Sequence, residues 1–398
     1  MWTTWGDKDL VTEQAMCDAF TKQQPNIVVH AQTVPDGDKY TAAMASGAPP
    51  DLLQTWNAAE VAAWAVSGGV TQLDSYIAAG KMDLSKIDQG GLAAGKLFGK
   101  QFGMPMLVYT NTLLFWNKSI FQTGGLDAAT PPETWQALTQ DATKFNQQQG
   151  GAFTRMGFVP SNGQGGLGNI VWSFGGQLYS DDGKQVTPDN PGVVKCAQYM
   201  RSQIVQFGGL DAINAFKKGF GSNANDPFYI GQIVTQINGE WLPTFIPKYK
   251  PDLQYGVGYM PYDETAPQAK QSGNIGTNLI IIPKDGKHQQ ESWDVIAFAN
   301  TPEPNLALAK GLGNTPQVLA AVDMMAQQAA TPELKFILQA HKSPNMRSSP
   351  INPVSNDYNK ALGTAMGDIL SGKAEAPSAL AQVKQIIQPK LDAIVAKG

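Results

Sequence analysis

The chain has 398 residues, long enough for two or more domains, because single hydrophobic cores rarely grow past roughly 250 to 300 residues. Charged residues make up only 16%, the net charge is -4, and of the 29 basic residues only Arg155, Arg201 and Arg347 are arginines. No basic stripe is available to track phosphates, so nucleic acid is not an expected partner, and no apolar run reaches the ~18 to 20 residues of a transmembrane helix.

The opening Trp2-Thr3-Thr4-Trp5 lacks the basic and apolar segments of a signal peptide. The expectation is either a native start or a Met added to a mature or trimmed chain. Residues 2–6 read as a short strand. Val11, Ala15, Met16, Ala19 and Phe20 then share one helical face, which Pro25 stops. A strand over 27–34, a helix over 38–46 closed by Gly47, a strand over 52–56 and a helix over 58–66 follow. This alternation predicts an α/β unit with a largely parallel sheet. Ligands meet such sheets at the carboxyl ends of the strands, here the loops 6–8, 34–38 and Trp56-Asn57.

The apolar run 106–116 is interrupted by Thr110 and Asn111, so it predicts two strands meeting at a crossing. Thr130-Pro131-Pro132-Glu133 has the chemistry of a helix start and places one near Pro131. Trp135, Leu138, Ala142 and Phe145 form the helical face, and a second α/β unit follows, with strands over 156–159 and 233–238 and a helix over 191–205. The Gly-rich segment 161–168 has neither a P-loop ending nor the G-x-G-x-x-G spacing, and reads as a mobile loop beside a cleft. Helices over 356–370 and 378–397 close the chain, Pro389 marking a kink in the second. Cys17 and Cys196 both fall in predicted helices. A disulfide is open, but two buried free thiols are expected, because Cys is among the most buried residue types.

The three histidines, His30, His288 and His341, are isolated, without HExxH spacing or a nearby Cys pair. No G-x-S-x-G elbow occurs, and the carboxylate pairs Asp181-Asp182 and Asp263-Glu264 lie in turn-like sequence. The sequence therefore offers no catalytic residue, metal ligand set or cofactor motif. It does place aromatics at loop mouths: Trp56 beside Asn57, Trp172 before Gly175-Gly176, and Trp241 after Asn238-Gly239-Glu240. A sugar ring presents apolar C–H faces and a rim of hydroxyls, which match a rigid indole plus Asn, Gln or Asp side chains. Core packing is the other reading of each Trp. Arg347 lies in a Ser, Pro and Asn-rich segment, and its planar guanidinium suits bidentate binding of hydroxyl pairs or anions; a plain surface-loop arginine is the alternative.

The order of short motifs carries a resemblance. An aromatic first strand, F-x-x-x-x-P-x-I-x-V (Phe20 to Val29), A-S-G-A-P-P-D (Ala45 to Asp51), G-x-x-x-L-D (Gly69 to Asp74) and G-M-P with N-K-x-x-F and P-P-x-T-W (Gly103 to Trp135) occur in order. F-x-x-G with N-G-x-W (Phe228 to Trp241) follows. Together they resemble the maltose-binding-protein-like extracellular solute-binding proteins of ABC importers. The resemblance implies a two-lobe α/β periplasmic-binding-protein fold of type II, each lobe a mostly parallel sheet flanked by helices, with a ligand cleft between them. It implies lobes of 1–110 with 262–312 and of 111–261 with 313–398, residues 255–261 as the return strand, and hinges near 110–111, 259–262 and 311–315. The implied role is non-catalytic: capture of a carbohydrate by hinge closure and delivery to ABC permease subunits, by a monomer outside the cytoplasmic membrane, periplasmic or extracellular, with lipid anchoring open. The implied ligand-binding residues are Asp7, Lys8, Trp56, Asn57, Asn111, Gln164, Gly166, Trp241, Gly276 and Asn278, and Trp172 joins them as an aromatic at a loop mouth. Near Gln164 and Gly166 the acidic and aromatic residues of maltose-type members are missing, which argues against simple maltodextrin binding. Arg347 joins the set if it faces the cleft, and an anionic sugar or glycerol derivative is then the alternative ligand. A carbohydrate-active enzyme and a receptor-linked sensor are the other classes kept open.

Overall fold

The structure is a computed structural model that describes residues 1–34, 37–80 and 82–396, without the side chain of Lys8. Its strands are β1 Trp2–Thr3, β2 Gln32–Thr33, β3 Leu53–Thr55, β4 Lys96–Leu97, β5 Lys100–Gln101, β6 Met104–Thr110, β7 Leu113–Asn117, β8 Gln147–Gln149, β9 Ala152–Phe158, β10 Ile233–Asn238, β11 Tyr255–Tyr259, β12 Gly273–Ile281 and β13 Met346–Arg347. One sheet runs β13-β12-β3-β1-β2, with β6 also paired to β12. The other runs β11-β7-β10-β9-β8, and β4 and β5 form a separate ribbon. The architecture is a two-lobe α/β fold.

The run 106–116 does split at its polar pair. β6 ends at Thr110 in the first sheet and β7 begins at Leu113 in the second. β7 and the C-terminal end of β12 are apolar on both faces, as expected for strands covered on each side. In β12, Leu279 and Ile281 enter one core while Ile280 enters another with Met104, Met106 and Leu107. In β7, Leu113 and Phe115 face one core while Leu114 and Trp116 face a second with Trp135 and Leu138. β1 pairs in parallel with β2 and β3, as the opening alternation predicts. The second sheet departs from the mostly parallel order expected of each lobe: β9 is parallel to β10, but β7 is antiparallel to both β10 and β11, and β8, joined to β9 by a tight turn, is antiparallel to it.

Several local expectations shift. The helix expected at Pro131 is Trp135–Phe145, and its cap is Thr134, whose hydroxyl accepts the Ala137 N–H at 3.1 Å. Each residue before a proline is pushed out of the helical region, which keeps Thr130-Pro131-Pro132 out of the helix; Thr130 bonds Asp127 instead. The strand expected to return to the first lobe, β11, pairs with β7 in the second sheet. The Asp263 N–H still donates to Ser173 O, so the chain reaches the first sheet only at β12. Cys17 and Cys196 are both free and buried, in different cores.

Glu13, on the helix Asp7–Gln23, is fully buried, and the Thr3 hydroxyl that faces its carboxylate donates to Gln54 instead. Burial pushes its carboxyl up to about 8. An acid whose folded pKa is raised binds its proton more tightly in the native state, so native stability falls as pH rises from about 4.5 towards 8. Glu13→Met is therefore expected to raise the melting temperature, by on the order of 5 °C at pH 8.5 and by clearly less at pH 5. Melting curves at the two pH values check this; an equal gain at both would contradict it.

Candidate functional site

The two sheets are joined around Thr110 and Asn111. The Asn111 N–H donates to Asn274 O at 3.1 Å, and the Asn274 N–H donates to the Thr112 hydroxyl at 2.7 Å, so the crossing is laced to the start of β12. Asn274 also donates through Nδ2 to Asn169 Oδ1 at 2.9 Å, and Asn169 in turn donates to the Gln164 side chain and carbonyl. The Gly-rich segment is thereby tied to the first sheet. The Gln164 N–H donates to Ile237 O, and Gly166 caps the short helix Leu167–Ile170 with open space where a Cβ would sit.

Beside this crossing the chain turns at Asn238-Gly239-Glu240, which delivers Trp241 to the start of the helix Leu242–Tyr249. The Glu240 N–H donates to Thr110 O at 3.0 Å. Trp241 is partly exposed and meets Tyr109 edge to face, with ring centroids 6.5 Å apart. Tyr109 pairs directly across the sheet with Gly276, and a Cβ there would lie 2.1 Å from the Tyr109 ring. Gly276 thus owes its place to the aromatic ring lying over it, the pairing of an aromatic with a cross-strand glycine.

Trp56 follows β3 and is 61% exposed, the most open tryptophan described. It borders a cavity of about 120 Å³ with Asn57, Thr4, Tyr40, Glu60 and Trp64. Asn57 caps the helix Ala58–Val66 by accepting the Glu60 N–H, which fixes the loop that presents Trp56. A second cavity, of about 100 Å³, brings Trp172 together with Arg347, Gln177, Gln268, Ser272 and Asn345. Trp172 is mostly buried in the second-lobe core, so packing accounts for most of its surface. Arg155 and Arg201 commit their guanidinium groups to Gly231 O and Leu370 O. Among the described residues the exposed Arg347 guanidinium has no hydrogen-bond or ion-pair partner, and the buried Ser272 hydroxyl beside it is also unpartnered.

Asn278 lies inside the first sheet, 5% exposed, where its Oδ1 accepts the Gln54 Nε2 at 3.2 Å; its neighbours there are strand partners. Asp7 is exposed, opens the first helix and has a left-handed backbone with φ 50, a conformation disfavoured for a residue with a Cβ. The side chain of Lys8 lies outside the described residues. Tyr109, Asn169, Asn274 and Glu240 escape sequence reading. Apart from the bonds of Asn169 to Gln164, their contacts are with residues far away in sequence, and only the position of Tyr109 two residues before Asn111 is a further local signal.

Residues 7–305 match the bacterial extracellular solute-binding protein family. Among solved structures, CpMnBP1 with mannotriose bound is 29% identical, covers 96% of this chain and 98% of its own, and superposes with a TM-score of 0.78. The sugar-binding protein MalE from Xanthomonas citri, 18% identical with a TM-score of 0.79 over 98% of this chain and 96% of its own, shares the fold. Among curated relatives, a putative binding protein of Brucella abortus (strain 2308) is 23% identical over 390 residues, 95% of this chain and 88% of its own length. The sn-glycerol-3-phosphate-binding periplasmic protein UgpB of Yersinia pestis is 25% identical over 341 residues, 79% of this chain and 72% of its own. No helix among the described residues is long and apolar enough to cross a membrane. With a two-sheet α/β fold and a match that spans most of its length, the chain belongs to the bacterial extracellular solute-binding proteins.

Proposed function

We propose that this protein captures a carbohydrate, a mono- or oligosaccharide, by closing its two lobes and delivers it to the permease subunits of an ABC importer. The observation that carries this reading is Trp56: a 61% exposed indole over a cavity edged by Asn57 and Glu60. Trp241 on Tyr109 supplies a second apolar face beside the crossing. Each of the two cavities is smaller than the ~300 to 1,000 Å³ of a whole ligand pocket, which supports separate subsites that closure would bring together. The mannotriose-bound relative makes manno-oligosaccharides the first class to test. We also propose Asp7, Lys8, Asn111, Gln164 and Gly166 as ligand contacts, and moving bodies of 1–110 with 262–312 and of 111–261 with 313–398. Within the latter, Val318 and Ala321 join the first core and β13 pairs with β12 in the first sheet, so these segments move with the first body. The protein acts as a non-catalytic monomer outside the cytoplasmic membrane, free or lipid-anchored at its outer face. Hinge closure follows from a ligand that contacts both lobes and so favours the closed population.

A second reading is favoured by Arg347. Its unpartnered guanidinium and the unpartnered Ser272 hydroxyl edge the same cavity as Trp172, and a relative binds sn-glycerol 3-phosphate. An anionic sugar or glycerol derivative would be held there. Calorimetric titration with mannotriose and with sn-glycerol 3-phosphate separates the two. The first reading expects mannotriose binding that Arg347→Ala changes less than threefold. The second expects phosphate-ester binding that Arg347→Ala weakens by about 10- to 100-fold, the scale of a lost charged hydrogen bond. Binding of neither, or turnover of either, would overturn the assignment.

A further inference from the structure

The crossing holds a buried ion pair that ligand contact does not explain. Glu240 is 6% exposed and His341 5%, and His341 Nε2 lies 2.7 Å from Glu240 Oε2. The same carboxylate accepts the Thr110 N–H, the Thr315 N–H and the Thr315 hydroxyl, each at 3.0 Å. Thr110 ends β6, Thr315 follows the helix Pro302–Leu312, and His341 ends the helix Pro332–Ala340. One carboxylate therefore fastens three distant chain segments, and it stands one residue before Trp241. Thr315 also exchanges backbone hydrogen bonds with Val108 of β6, so the segment after the helix Pro302–Leu312 runs beside β6 there.

We propose that Glu240 is a positioning residue for ligand capture: its carboxylate, paired with a protonated His341, clamps the crossing segments in the register that seats Trp241, and loss of that proton leaves a neutral, weaker Nε2–H hydrogen bond that loosens the clamp. The proposal rests on the sugar-binding reading. A carboxylate accepts and cannot donate, so Glu240 needs all its donors, and His341 is the one whose charge pH can remove: the neutral imidazole keeps its Nε2–H towards Glu240 but donates without charge assistance. His341 Nδ1 has no partner, so Glu240 alone fixes the ring. The titratable groups facing the pair from neighbouring elements are Asp88 and Tyr109. Asp88 accepts the Gly91 N–H at 2.7 Å, and burial raises its carboxyl above the usual range. Burial, with the Glu240 charge adding to it, raises the Tyr109 phenol. Lys342, next to His341, is exposed and paired with Asp323.

Burial pushes the imidazole pKa down, but the charge and hydrogen bond of Glu240, with the charge of Asp88, outweigh it and hold His341 above 6.5. A histidine raised in the folded state contributes its stability fully below its unfolded value and loses it as pH rises through the folded value. The clamp is thus fully charged below the ordinary histidine value and loosens as pH rises through the raised value.

The test uses the full chain, with NMR titration of the three imidazoles, His30, His288 and His341, and calorimetry with mannotriose across pH 6 to 9. Wild type is expected to show the His341 imidazole titrating above the ordinary histidine value, with mannotriose affinity falling across the same range. In Glu240→Gln that imidazole should fall back and the affinity should be weaker and flat with pH; His341→Gln, which cannot carry the proton, should give the same flat profile. A His341 imidazole unmoved by Glu240→Gln, or a wild-type affinity independent of pH, overturns the clamp. If mannotriose does not bind at any pH, the sugar reading fails separately, and the response of the imidazole to Glu240→Gln alone decides for or against the clamp.

Discussion

Trp241→Ala is expected to weaken mannotriose binding by about 30- to 150-fold. An aromatic side chain buries ~150 to 250 Å² when fully covered, and at ~25 cal/mol per Å² a sugar stacked on one indole face, with its share of desolvation, contributes about 2 to 3 kcal/mol. Such aromatic anchors dominate binding energy far beyond their number. The effect on the empty protein should be small. Trp241 is partly exposed and caps its helix through backbone conformation without a side-chain hydrogen bond. The melting temperature without ligand should then change by only a few degrees while the ligand-induced rise nearly vanishes. Calorimetry against mannotriose checks the first, and melting curves with and without sugar check the second. An affinity within threefold of wild type would assign Trp241 to packing.

Gly276→Ala acts on the same site from beneath. A Cβ at 276 would lie 2.1 Å from Tyr109 Cε2 and 2.4 Å from Cζ, so the ring must leave its place. The ring supports Trp241 at a centroid distance of 6.5 Å, and its departure removes that support. Overpacking of this kind costs ~1 to 3 kcal/mol, and about a 10-fold or greater loss of mannotriose affinity should accompany the fall in melting temperature. Adding Tyr109→Ala to Gly276→Ala should recover part of the stability but not the affinity, because it removes the clash and the support together. Stability effects of the two changes that simply add would show that they do not act through one contact.

What could be seen in the sequence was local and periodic. The crossing at Thr110 and Asn111 stood out because a polar pair has no place inside a strand buried on both faces, and the structure separates β6 from β7 there. The helix Ala58–Val66 and the strand Ile233–Asn238 keep their expected ends, since a capping Asn and a Gly turn mark them. The strand expected over 27–34 is reduced to Gln32–Thr33, because it lies at the sheet edge and pairs only with β1. The helix near Pro131 was misplaced by one capping signal outranking another: Thr130 and Thr134 both precede acceptable first turns, and only the prolines decide. Nothing local distinguishes Trp172, mostly core, from Trp56, mostly open. The Glu240 junction was invisible for a different reason. Its partners Thr110 and His341 lie 130 and 101 residues away, and no spacing rule reaches that far.

The two cysteines give the protein a built-in reporter of its own breathing. Cys17 sits in the core under the first sheet and Cys196 in the core under the second, each inaccessible in the native state and unpaired. Burial pushes the Cys17 thiol up to about 12, and Cys196 well upward too, so neither reacts until its surroundings open. Alkylation by a thiol reagent under native conditions therefore times two separate openings, one per lobe, without any engineered label. Saturating sugar that slows both labelling rates alike would mean that the halves unfold as one cooperative unit once bridged. Unequal slowing would reveal which half opens first.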